Sequence, residues 1–124
     1  MELLLRRSQK SGLMGGVKFT LEARVELTQE EEANVRKYKM SDILLYEKGS
    51  EKIERATGTM SMLAARFTQL RVTVSDLIAG KSIEGKDIVD IMAAQDQIKE
   101  AVQSFKVILA AASTFDGEEV IQVG

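Results

Sequence analysis

The chain has 124 residues, of which 44% are hydrophobic and 29% charged, with a formal net charge of −2. That is the size and composition of one globular domain, residues 1–124, that can bury a core without staples. The weak net charge argues against a dedicated nucleic-acid binder, which is usually basic over its domain. His and Cys are both absent, which excludes disulfides, thiolate metal sites, most zinc sites and catalytic triads of the Ser-His-Asp or Cys-His kind.

Residues 2–8 can form a first strand. The apolar run Leu3–Leu5 is too short for a signal-peptide core, and no stretch approaches the ~20 apolar residues of a membrane helix. Cytoplasmic residence is the expectation. Ser11-Gly12-Leu13-Met14-Gly15-Gly16 reads as a hairpin connection. In the strand that follows, Val17, Phe19, Leu21, Ala23, Val25 and Leu27 alternate with Lys18, Thr20, Glu22, Arg24 and Glu26. Strict alternation means one face is buried and the other is wet.

Thr28-Gln29-Glu30-Glu31 is a capping box. In it the Thr28 hydroxyl accepts from the Glu31 backbone and the Glu31 carboxylate reaches back to Thr28. A short helix over 29–37 follows, with acids in its first turn and bases in its last, as the helix dipole favours. Ile43–Tyr46 reads as a buried strand. In residues 49–66 a helix capped by Ser50 competes with a loop. Leu70, Val72 and Val74 alternate with Arg71, Thr73 and Ser75 as a further half-buried strand, and residues 76–86 read as a loop with an extended piece at 82–84.

Asp87 caps the longest element. Ile88, Ile91, Met92, Ile98, Val102, Phe105, Ile108, Leu109 and Ala112 recur at helical spacing over 88–113, a helix of roughly 39 Å. Thr114–Gly117 ends it, and 118–123 reads as a last strand. The fold class is therefore α+β: a mainly antiparallel sheet of about five to six strands, with a short helix and the long C-terminal helix packed on one face.

Ser75-Asp76-Leu77-Ile78-Ala79-Gly80-Lys81-Ser82 ends like a phosphate-binding loop. Such a loop needs glycine where Ser75 stands and a helix beginning at the Lys-Ser. A surface turn is the better reading. The glycines at 12–16 lead into a strand, and so lack the helix N-terminus that attracts phosphate. The acidic clusters at 30–32, 87/90 and 116–119 mark helix ends.

The apolar band of the long helix is wider than one stripe. Ile98, Val102, Phe105 and Leu109 are the candidate contact with a second copy of the chain, commonly related by a two-fold axis. The rival reading has the last strand and the 60–67 segment cover that surface. The function this supports is a non-catalytic interaction module, homo-oligomeric and binding a protein partner, with no cofactor and no metal. One alternative is a binder of an anionic metabolite or nucleotide through Arg6, Arg7, Arg24 and Arg66. Another is an enzyme working with carboxylates, Lys or Tyr alone.

Overall fold

A computed structural model describes residues 1–12, 15–48 and 70–124. The sequence expectations for 49–66, and Arg66 with them, lie outside the described residues.

Strand β1 (Glu2–Ser11) and strand β2 (Val17–Glu26) form a long antiparallel hairpin in which Leu3 faces Val25, Leu5 faces Ala23 and Arg7 faces Leu21. Leu21, Ala23 and Val25 are buried while Glu22, Arg24 and Glu26 are exposed, as period-two alternation requires. Helix α1 (Gln29–Lys37) starts at the expected capping box, with both reciprocal hydrogen bonds formed. It ends in a Schellman motif. The Met40 N–H reaches the Val35 carbonyl at 2.9 Å, the Lys39 N–H reaches Arg36 at 3.2 Å, and Lys39 adopts φ 53°.

Strand β3 (Leu44–Lys48) pairs antiparallel with β4 (Leu70–Thr73), with a register shift between Leu44 and Tyr46. Helix α2 (Val74–Ala79) follows at once, then strand β5 (Lys81–Gly85) and helix α3 (Ile88–Ser113). Helix α3 has the bounds that periodicity gave it, and the Asp87 carboxylate accepts from the Val89 N–H at 2.9 Å.

Three features differ from expectation. The strands fall into two sheets, β1-β2-β5 and β3-β4, instead of one. Strands β1 and β5 take both edges of β2, and the shorter β3–β4 pair forms a ladder of its own. Second, the expected strand through Ser75 stops at Thr73. There Thr73 and Asp76 form a capping box, with the Thr73 N–H on Asp76 at 2.9 Å, and the chain turns into α2. Third, residues 118–123 form no strand and are exposed. Val120 and Ile121 are adjacent, so an extended chain cannot place both on one apolar face.

The core lies between the inner face of the three-stranded sheet and α3. Leu21, Ala23, Val25 and Ile83 pack with Ile91, Ala94, Ile98 and Val102. A second cluster under α1 joins Val35 and Val74 to Phe105 and Leu109. Gly85 allows the close approach of β5 to α3, since a Cβ there would stand 3.3 Å from Ile91 Cδ1. Among the described residues no helix is long and apolar enough to cross a membrane.

Candidate functional site

Three surfaces follow from this packing. The first is a shallow depression of about 530 Å³ on the outer face of the sheet, lined by Leu4, Arg6, Glu22, Arg24, Gly80 and Ser82 among others. Arg6 stands opposite Glu22 and Leu4 opposite Arg24, so the two arginines are diagonal neighbours on one face. Of the three described arginines expected to act together, Arg6, Arg7 and Arg24, the structure brings Arg6 and Arg24 into one place. Arg24 is already committed to Glu26 at 2.7 Å, and Glu22 adds a second negative charge to the rim.

Arg7 lies on the opposite face. Its guanidinium donates a 2.6 Å hydrogen bond to the Oε1 of Gln95, the only buried polar residue among those described. It is tied to the core, away from Arg6.

The Gly80-Lys81-Ser82 segment does not form a phosphate-binding loop. Ser75–Ala79 are helical, Gly80 caps the helix C-terminus at φ 94°, and Lys81 and Ser82 open strand β5. Helix then strand is the reverse of the order that points helix N–H groups at a phosphate.

The second surface surrounds the turn end of the β1–β2 hairpin. Lys10 faces Lys18 across the ladder, and Lys86 borders the same depression of about 620 Å³. Lys18 is neutralised by Glu84 at 2.8 Å.

The third is a groove of about 300 Å³ between the inner face of the hairpin and the first turns of α3. Phe19, Ile88, Ile91 and Met92 form its apolar wall, and Arg7, Ser8 and Gln9 its polar side. The groove exists because the hairpin reaches beyond the covered part of the sheet. Phe19 is half-buried, and Val17 and Ser11 beyond it are exposed. Ile88 is 53% exposed and Met92 38%.

The helix residues expected to meet a second copy are used inside the chain. Ile98, Val102, Phe105 and Leu109 are all at least nine-tenths buried against the chain's own sheet and α1. The apolar residues that α3 leaves to solvent are Ile88, Val89 and Met92 near its start and Val107 and Ile108 near its end. Periodicity alone lists both sets, because it does not say which stripe meets the sheet.

Two carboxylates are electrostatically distinctive. Burial works to raise the pKa of Glu31, but the N-terminal ammonium of Met1, 2.8 Å away, and the backbone N–H and side chain of Thr28 outweigh it and hold it below the usual range. The Thr73 backbone N–H, against opposing desolvation and with help from the Thr73 side chain and the charge of Lys81, lowers Asp76. Both are capping residues, so their shifts have a structural cause. Among the described residues no group of three or more acidic, His or Cys side chains is placed to hold a metal ion.

Comparison with known proteins finds no matching family model, no matching curated protein and no matching solved structure.

Proposed function

We propose that the chain is a non-catalytic interaction module that associates with copies of itself and takes an apolar segment of a protein partner into the groove between the β1–β2 hairpin and α3. The observation that carries this reading is the exposed apolar wall: Ile88 and Met92 stand open beside Phe19 at one end of the long helix. Burying such side chains is worth about 25 cal/mol per Å² of apolar surface, so a partner gains affinity by covering them. Arg7 and Gln9 line the same groove and offer polar groups at its side that can orient a bound segment.

The test is selection of phage-displayed peptides against the purified chain. Apolar peptides should be enriched, and Met92→Glu should abolish their binding while leaving the circular dichroism spectrum unchanged. No enrichment, or peptides indifferent to Met92→Glu, would overturn the groove assignment.

A second reading, capture of a small anion by Arg6 and Arg24, is favoured by their meeting in one depression and weakened by Glu22 and Glu26 beside them. It requires a rise in melting temperature with ATP or pyrophosphate that Arg6→Ala removes.

A further inference from the structure

Strand β1 is ten residues long and stands at the end of its sheet, paired only with β2 among the described residues. A long edge of this kind is an open row of backbone donors and acceptors, which natural sheets usually shorten, bulge or cover. The half of β1 nearest the N-terminus reads Glu2-Leu3-Leu4-Leu5-Arg6. About Leu4 this stretch is symmetric in shape and antisymmetric in charge.

We propose that two copies of the chain associate by antiparallel pairing of β1 with β1 about a two-fold axis through Leu4. This rests on the self-association in the reading above and names the surface that carries it. In that register Glu2 of each copy faces Arg6 of the other on the outer side of the sheet, and the two Leu4 side chains meet on the same side. Leu3 faces Leu5 on the inner side, extending the apolar face of the sheet across the axis.

Three observations converge on this register. Leu4 is 41% exposed, on the outer face where its neighbour in the ladder is the charged Arg24. Neither Glu2 nor Arg6 forms an ion pair with any described residue, although Arg6 stands opposite Glu22. The next two two-fold registers along the strand are poorer. An axis at Leu5 sets Arg6 against Leu4, and an axis at Arg6 pairs Glu2 with Lys10 but sets Arg6 against itself. Repulsion between like charges directly opposite is destabilising.

The absence of cysteine from the chain makes a direct test possible. Directly opposite residues of an antiparallel pair have Cα atoms about 4.5–5.5 Å apart, within disulfide range. A Leu4→Cys variant treated with diamide is therefore expected to become a covalent dimer far faster than Glu22→Cys, a control on the same face of the central strand. Sedimentation of the unaltered chain over about 1 μM to 1 mM should show a reversible dimer, as fits a small interface. Glu2→Arg alone and Arg6→Glu alone should each weaken dimerisation about tenfold, and the two together should restore it.

If the unaltered chain self-associates but Leu4→Cys links no faster than Glu22→Cys, the β1 assignment is overturned and self-association stands. Failure of the charge swap to rescue dimerisation would overturn the register. A chain that remains monomeric throughout would remove both.

Discussion

The guanidinium of Arg7 on β1 and the side-chain carbonyl of Gln95 on α3 are 88 positions apart in sequence and 2.6 Å apart in space. The bond fastens the edge strand to the long helix at the polar side of the groove. No buried side-chain polar atom among the described residues lacks a partner, and Arg7→Ala would create one. Leaving a buried acceptor unsatisfied costs about 1–3 kcal/mol, so urea denaturation should show a loss of that size. Arg7→Met with Gln95→Leu, which removes both polar groups, should recover most of it. A neutral Arg7→Ala would show that water replaces the guanidinium.

Acid should destabilise the fold through Glu31 and Asp76. Both have pKa values lowered in the folded chain, so the unfolded chain binds their protons first. The stability they contribute is present above the ordinary carboxylate range, about pH 4, and is lost as pH falls from there through the lowered folded values. Melting temperatures measured across that window should drop less steeply for Glu31→Gln and Asp76→Asn. Curves parallel to that of the parent chain would refute the role given to the caps.

Lys39 closes helix α1 with φ 53°. A side chain in the left-handed region costs about 1–2 kcal/mol, which glycine avoids. Part of that gain is offset by the greater freedom of glycine in the unfolded chain. Lys39→Gly is therefore expected to stabilise the protein by about 0.5–1 kcal/mol in chemical denaturation. Destabilisation would mean that the Lys39 side chain holds the turn by contacts of its own.

The two stripes of α3 should respond differently to substitution. Ile98 is fully buried and Phe105 nearly so, and Ile98→Ala should cost about 2–5 kcal/mol through lost contacts and the cavity left behind. Val107 is 68% exposed, and Val107→Ala should stay within about 0.5 kcal/mol of the parent. Equal effects at the two sites would contradict the placement of the helix.

Much of this fold is legible in the sequence where two local signals coincide. Alternation identifies β2, a capping box fixes the start of α1, and the Asp87 cap with helical spacing gives both ends of α3. Helix α2 is missed because Val74, buried at its first position, continues the alternation of Leu70 and Val72. The signal that finds it is Thr73-Val74-Ser75-Asp76, a second capping box three residues into the strand pattern. The division into two sheets depends on which strand takes the free edge of β2, a contact between β5 and β2 across more than fifty residues that no local pattern encodes. Among the candidate site residues, the separation of Arg6 from Arg7 follows from strand periodicity, since neighbours on a strand point to opposite faces. The groove beside Phe19 is not legible, because it depends on how far the hairpin extends beyond the helix laid across it.

The most direct test of the proposed function is an NMR titration of the isoleucine- and methionine-methyl-labelled chain with an apolar peptide selected for binding. The expected result is saturable shifts of the Ile88, Ile91 and Met92 methyls at one peptide per chain, with Ile108 at the far end of α3 unmoved. Shifts confined to Ile108, or none at Ile88 and Met92 while the peptide binds, would contradict the account.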